Sequence, residues 1–358
     1  MKTRNAESRS AATSESLYLK RSGRTLGSIE VSPIGMGCMG FSHGYGEIPA
    51  EEYSIGAIRK AYDFGCTFFD TAEGYAPNRN PESRGHNERI LGKAVRDFRK
   101  NVVLATKLHL PTEEATGVGI YAALKSHLEQ SLRNLQTDYA DLYYLHRLNP
   151  DIPVEDIAEA FARLIKEGLI RGWGLSQVSV ATIEKAHTVT PLSAVQNIYS
   201  MVERSIEEDV IPYCIEKNIG IVPFSPIASG FLSGKVTEKT DFSHHDDVRK
   251  FVPQLREENI KANQPILDLL AKYAAEKNAT LAQISLAWML HKYPNVVPIP
   301  GSKNQERILE NLGAWKVELS EEEFTALEKS ISQIPVAGFR GHVEMQGDSM
   351  KDWGRRKS

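Results

Sequence analysis

Ala140-Asp141-Leu142-Tyr143-Tyr144-Leu145-His146 is the stretch on which the reading of this chain turns. A short, near-continuous apolar run ends on a histidine. Strands buried on both faces read in this way rather than as an alternation, and they belong to parallel sheets. Two earlier runs have the same form. Val102-Val103-Leu104-Ala105-Thr106 runs into Lys107, and Cys66-Thr67-Phe68-Phe69 runs into Asp70, with Tyr75 five residues further on. Pointing the same way, the three strands bring Asp70, Tyr75, Lys107 and His146 to one mouth at their C-terminal ends.

Outward from these runs, apolar β-type segments alternate with amphipathic helical ones. Strands are expected at 31–37, 66–71, 101–107, 140–146, 170–176, 193–199, 219–225 and 295–300. Helices are expected at 50–64, 87–98, 118–135, 154–167, 180–187, 206–217 and 280–292. In the stretch from Asp151 to Ile165, Pro153 lies where a missing N–H is harmless, and Ile157, Phe161, Leu164 and Ile165 share one face. Gly168 then ends the helix. Strict alternation argues for a parallel sheet, and eight units for a closed (β/α)8 TIM barrel with long loops at the C-terminal face. An open doubly wound sheet is the alternative, and it needs a glycine fingerprint that opens a helix. Gly35-x-Gly37-x-x-Gly40 runs instead into Phe41-Ser42-His43-Gly44-Tyr45-Gly46, which starts no helix, so these glycines read as a loop at the barrel mouth.

The chain has 358 residues, 41% of them hydrophobic, and a net charge of −3 with the two signs well mixed. That leaves neither a basic footprint for nucleic acid nor a polybasic membrane patch. Cys38, Cys66 and Cys214 are widely spaced and read as buried free thiols in a reducing compartment. No stretch approaches the roughly 20 apolar residues of a membrane span, and the first sixteen residues lack the apolar core of a secretory signal. The expected organisation is a disordered tail at 1–16, one barrel over 17–333 and an irregular tail over 334–358, in a cytoplasmic protein. A polar insertion at 228–263 carries His244, His245, Asp246 and Asp247. They read as a solvated loop, and no metal site is assigned.

The quartet has a chemistry of its own. A tyrosine hydroxyl, with an ordinary pKa near 10, is too weak an acid to protonate a carbonyl efficiently at neutral pH. A neighbouring ammonium favours the phenolate and lowers that value. Tyr75 is then the general acid, tuned by Lys107 and Asp70, and His146 orients the incoming carbonyl oxygen.

The same residues carry a family resemblance. Asp70-Thr71-Ala72-x-x-Tyr75, the strand ending in Lys107, and Asp141-Leu142-Tyr143-Tyr144-Leu145-His146-Arg147 resemble the aldo-keto reductases. So do Gly35-Met36-Gly37-Cys38-Met39-Gly40, Gly172-Trp173-Gly174-Leu175-Ser176 and Pro223-Phe224-Ser225-Pro226. Gly230-Phe231-Leu232-Ser233-Gly234-Lys235 and Pro300-Gly301-Ser302-Lys303 complete an ordered set from about Leu19 to about Ile331. The resemblance implies the barrel, the same roles for the quartet, and reduction of aldehydes or ketones with NADP(H) as the hydride source.

It also implies the cofactor contacts. Ser176 and Gln196 match residues that hold the nicotinamide carboxamide, with Gln177 in place of the usual Asn. Phe224 matches the aromatic that stacks on the ring, and Gly37, Cys38 and Met39 lie in the first loop. The loop from Ser225 through Pro226, Ile227, Gly230 and Leu232 to Lys235 offers small residues and N–H groups to a pyrophosphate. After Ile299, the Gly301-Ser302-Lys303 stretch with Gln305 and Arg307 opens a helix, where an adenosine 2′-phosphate finds both N–H groups and cations. Glu310 and Asn311 match residues that hold the adenine.

Two departures from the family pattern stand out. Gly301 occupies a place where many relatives carry Lys, and Ala76 to Arg84 delay the family's Asn-Glu pair to Asn87-Glu88. As a rim, that extra loop gives Arg79 and Arg84 a part in selecting anionic substrates. The expected partner is a small carbonyl compound, with Met39, Phe41 and Tyr45 among the residues that shape its pocket; nucleic acid and membrane are not expected, and oligomeric state is left open. A cofactor-binding auxiliary subunit with little turnover is the alternative function. An isomerase or aldolase on the same barrel leaves the cofactor segments without a use.

Overall fold

The computed structural model describes residues 23–341, so the expected disordered segment 1–16 and the tail beyond 341 lie outside the described residues. The chain opens with an antiparallel hairpin of β1 (Arg24–Leu26) and β2 (Ile29–Val31), turned at Gly27 with φ +60°. The strand expected at 31–37 is therefore divided. Pro33 lacks the N–H that a ladder needs; Val31 closes the hairpin, and only β3 (Met36–Gly37) enters the main sheet.

That sheet continues through β4 (Phe68–Asp70), β5 (Val103–Leu108), β6 (Ala140–Leu145), β7 (Ile170–Ser176), β8 (Ala194–Gln196) and β9 (Gly220–Ile221). All neighbours are parallel and follow chain order. The eighth position is filled by an extended segment rather than a continuous strand. Val297 N donates to Ile221 O at 2.8 Å, Ile299 N to Pro223 O at 3.1 Å, and Gly35 N to Pro298 O at 2.9 Å. Pro298 and Pro300 remove every second N–H, so this wall meets the first strand through Gly35 and the Gly37–Gly301 bridge. The barrel is closed.

Helices α1 (Glu51–Asp63), α2 (His86–Val95), α3 (Thr112–Val118), α4 (Ile120–Leu135), α5 (Val154–Lys166), α6 (Val180–Val189) and α7 (Val210–Glu216) follow the strands. The helix expected at 118–135 is broken at Gly119, whose φ of +88° no L-residue adopts easily. Beyond the strict alternation come α8 (Glu257–Ala262), α9 (Gln264–Lys277), α10 (Leu281–Lys292), α11 (Gln305–Gly313) and α12 (Glu321–Ile331). In α5, Val154, Ile157, Ala158, Phe161 and Leu164 are buried, as its apolar spacing demands.

Tyr143 and Tyr144 show the two-sided burial of β6. Tyr144 packs in the barrel interior with Phe68, Val103, Leu142 and Val222, and Tyr143 in the helix layer with Phe161. Leu26, Ile29 and Val31 join the interior cluster, so the hairpin plugs the N-terminal end of the barrel. Gly220 permits this approach, because a Cβ there would stand 2.3 Å from Leu26 Cδ2. Arg24 fixes the plug by donating to Tyr293 O and Val296 O, both at 2.6 Å.

At the opposite end, the insertion at 228–263 lies across the mouth. Gly44 N donates to Asp246 Oδ2 at 3.0 Å, and Val248 N to Gly44 O at 3.0 Å, which ties the insertion to the first loop. Asp247 holds Arg249, while His245 Nε2 meets Asn78 Oδ1 at 2.6 Å in the loop before α2. Among the described residues no group of three or more His, Cys, Asp or Glu converges as metal ligands do.

Candidate active site

Tyr75 reaches the strand ends because the chain leaving β4 keeps pairing with β5. Thr71 N donates to Ala105 O at 2.9 Å and Glu73 N to Lys107 O at 3.1 Å before the turn closed by Tyr75 N on Ala72 O. Thr71 Oγ1 also donates to Asn87 Oδ1 at 2.6 Å, which fastens the loop to α2. Asp70 ends β4, Lys107 stands near the end of β5, and His146 follows β6 directly.

The Lys107 ammonium is fully buried, and each of its three protons has an acceptor. It donates to Asp70 Oδ1, to Thr71 O at 2.7 Å and to the Tyr75 hydroxyl at 3.4 Å. The other Asp70 oxygen accepts from Gln196 Nε2 at 2.9 Å. Burial alone would pull the lysine pKa down; the charge and hydrogen bond of Asp70 hold it above its ordinary value. Lys107 is therefore a cation at neutral pH.

Tyr75 differs from the sequence-based expectation. Burial raises its pKa above 10, and the opposing pull of Lys107 reduces the rise without reversing it, with Asp70 adding to the rise. In this state the tyrosine holds its proton firmly. His146 moves the other way: burial, with Arg147 and His109 beside it, puts its pKa well below 6.5, so the imidazole is neutral. Its ring meets that of Tyr75 edge-on, 5.7 Å between centroids at 79°, and His109 lies 4.5 Å from it.

Tyr75, His146 and Asp70 open onto a cavity of about 570 Å³. Its wall holds most of the residues expected to contact a cofactor. Gly37, Met39, Ser176, Gln177 and Gln196 line it; so do Phe224, Ser225, Pro226 and Ile227. Gly230, Lys235, Ile299, Gly301 and Ser302 line it as well, as do Lys303, Arg307, Glu310 and Asn311.

Three expected contacts do not line this wall. Cys38 is buried, with its thiol directed at Met36 O, and Leu232 packs in the helix-layer core. Gln305 accepts from Lys60 Nζ at 2.6 Å and belongs to the packing against α1. Phe41, expected near the substrate, is a core residue, whereas Met39 and Tyr45 do line the cavity. Arg84 is also absent from the wall, 3.9 Å from Glu73, and the Arg79 side chain lies outside the described residues.

Several polar groups on the wall are already engaged. Ser176 Oγ accepts from Arg147 Nη1 at 2.9 Å, and Gln177 Oε1 accepts from Ile198 N at 3.1 Å. Lys303 Nζ donates to Tyr45 O at 2.9 Å and Glu47 O at 2.5 Å, so it also clamps the first loop. Arg147 places its guanidinium carbon 5.7 Å from the centre of the Phe224 ring. The wall also holds residues to which the sequence assigns no role, among them His43, His109, Arg147, Ser229 and Arg340. His109, two positions after Lys107, and Arg147, next to His146, had a signal in their neighbours. Arg340 had none.

A model of the aldo/keto reductase family matches residues 33–332. A Glycine max protein named Probable aldo-keto reductase 1 is 36% identical over 316 residues, 87% of this chain and 88% of its own. An aldo/keto reductase from Klebsiella pneumoniae, solved in complex with NADP and acetate, superposes with a TM-score of 0.67 at 28% identity, covering 90% of this chain and 98% of its own. The glycerol dehydrogenase of Gluconobacter oxydans has a TM-score of 0.76 over 88% of this chain and 96% of its own; at 24% identity it speaks to the fold alone.

Proposed function

The chain belongs to the aldo/keto reductase family, and from that premise we propose that it reduces aldehyde or ketone carbonyls with NADPH, with Tyr75 as the proton donor. The observation that carries this reading is the buried chain Gln196–Asp70–Lys107–Tyr75, which ends with a phenol on the cavity wall next to a neutral imidazole.

The wall residues fit the cofactor. The cavity is long enough to be bounded both by Phe224 and by Arg307 with Asn311 at α11. Between Ser225 and Gly230, residues 225, 228, 229 and 230 have φ values of +55°, +49°, +55° and +99°, the left-handed shape of anion-binding loops, with Ala228 N and Gly230 N closing turns on Ser225 O and Ile227 O. When bound, NADPH supplies the hydride. The chain's own residues supply the rest. His146, being neutral, donates a hydrogen bond to the carbonyl oxygen without adding a charge. Tyr75 gives that oxygen its proton as negative charge develops there, and Lys107 stabilises the phenolate left behind. Asp70 keeps Lys107 charged and aimed.

NADPH consumption with aliphatic, aromatic and sugar aldehydes, followed for wild type and Tyr75→Phe, tests the reading. Turnover by the wild type and its loss in the variant are expected. Equal rates for the two proteins would remove Tyr75 from the role, and wild type inert to every carbonyl while binding NADPH would favour an auxiliary cofactor-binding subunit.

A further inference from the structure

Beyond α12 the chain returns to the barrel mouth, where side-chain and backbone hydrogen bonds hold it. Asn263, fully buried between α8 and α9, donates through Nδ2 to Ala337 O at 2.9 Å and accepts from Ala337 N at 2.8 Å. Gln254 N donates to Phe339 O at 3.2 Å, and Arg340 N donates to Glu203 Oε2 at 3.3 Å. Gly338 turns the segment with φ +74°, where a Cβ would stand 2.7 Å from Asn259 Nδ2. All this anchoring delivers one side chain to the cavity.

That side chain is Arg340. It is 7% exposed and lines the same cavity as Tyr75 and Phe224. Its Nη2 donates to Ser225 Oγ at 2.7 Å, and among the described residues its Nε has no hydrogen-bond partner. Glu203, which accepts from the Arg340 backbone N–H, is a nearby negative charge but forms no ion pair with the guanidinium. Burying a guanidinium without a directly paired anion is unfavourable unless a ligand supplies one. A second orphan lies on the same wall: Ser229 Oγ, also 7% exposed, has no partner among the described residues. Both orphans can donate, Arg340 Nε only so, and both lie by the left-handed loop that begins at Ser225. A ligand rich in acceptor oxygens and negative charge satisfies them together.

We propose that Arg340 binds the diphosphate of the cofactor, with Ser225 and Ser229 beside it, so that the C-terminal segment forms one wall of the nucleotide site. The assignment rests on the reading of the cavity as an NADP(H) site. The observation that selects diphosphate over a substrate carboxylate is the Ser225 hydrogen bond, because Ser225 opens the loop that follows the ring-stacking Phe224.

Fluorescence titration of the full chain with NADPH and, separately, with adenosine 2′-monophosphate tests the proposal without turnover. Arg340→Met should raise the NADPH Kd about 10–100-fold, the weight of a charge-assisted hydrogen bond, and leave the monophosphate Kd unchanged. Arg340→Lys should recover part of the loss, and its circular dichroism should match wild type. An unchanged NADPH Kd in Arg340→Met would overturn the role of Arg340 alone. That result with a raised KM for carboxylate-bearing aldehydes would assign the guanidinium to the substrate instead. Wild type that fails to bind NADPH would overturn the cofactor reading itself.

Discussion

Gln196 on β8 donates to Asp70 on β4 at 2.9 Å, so the carboxylate that holds Lys107 is itself held from the opposite wall of the barrel. Gln196→Leu leaves Asp70 Oδ2 buried with no donor. A stability loss of about 1–3 kcal/mol is expected, measured by urea unfolding. An unchanged midpoint would mean that water replaces the amide.

Tyr75→Phe removes one oxygen from the cavity and nothing from its cofactor segments. Reduction should fall about 10²–10⁴-fold, while the NADPH Kd from fluorescence titration stays at the wild-type value. A matching rise in Kd would show that the hydroxyl serves binding.

The titration directions set the pH profile of reduction. His146 is neutral down to well below 6.5, so the rate should show no inflection as pH falls through 6.5. Tyr75 keeps its proton to above 10, and the rate should decline only in alkali as that proton is lost. Lys107→Met removes the positive neighbour that opposes the rise, so its alkaline limb should lie at still higher pH. Rate profiles with hydride transfer limiting check both limbs; an unmoved limb in the variant would mean that Lys107 does not act on Tyr75.

His127 offers a stability test away from the chemistry. Its Nδ1 meets Glu73 at 2.7 Å and its Nε2 meets Glu114 at 2.6 Å. The hydrogen bond to Glu73, against the opposing effect of burial, raises its pKa above 6.5. The folded state then binds the proton more tightly than the unfolded chain does. The resulting stabilisation is fully present below about 6.5, the unfolded value, and is lost as pH rises through the folded value. The unfolding free energy of wild type over His127→Phe should therefore shrink between pH 6 and pH 9. A gap of constant size would show that packing alone is at stake.

Arg307 and Lys303 should separate in cofactor choice. Arg307 is exposed, so Arg307→Ala should weaken NADPH more than NADH, and the difference should shrink with added salt. Lys303 also holds Tyr45 O and Glu47 O, so Lys303→Ala should weaken both cofactors through the loosened first loop. Titrations of the two variants with NADPH and NADH decide this.

The legible part of this protein lies where chemistry coincides with a strand end. Asp70, Lys107 and His146 each close an apolar run, and period and position together announce them. Residues placed by packing from elsewhere were harder to read. Cys38 and Leu232 sit in segments that line the cavity, yet their side chains turn into the core. The hairpin is hidden because Val31 and Met36 fall within one expected strand, 31–37, which Pro33 divides. Helix α9 fell outside any β–α unit, and Arg340 follows a segment without period, fixed only by Asn263, Gln254 and Glu203 from distant parts of the chain.

The meeting of Gly35 with Pro298 has a consequence for the chain as it is made. The first barrel strand cannot acquire its outer neighbour until the segment around Pro298, at the far end of the barrel sequence, has left the ribosome. At about 5–20 residues per second, its edge waits on the order of 10–50 s. An open strand edge of that lifetime is a template for wrong pairing. Here the waiting edge is only Met36–Gly37, with Pro33 just before it. So short and interrupted an edge gives another nascent chain almost no ladder to extend.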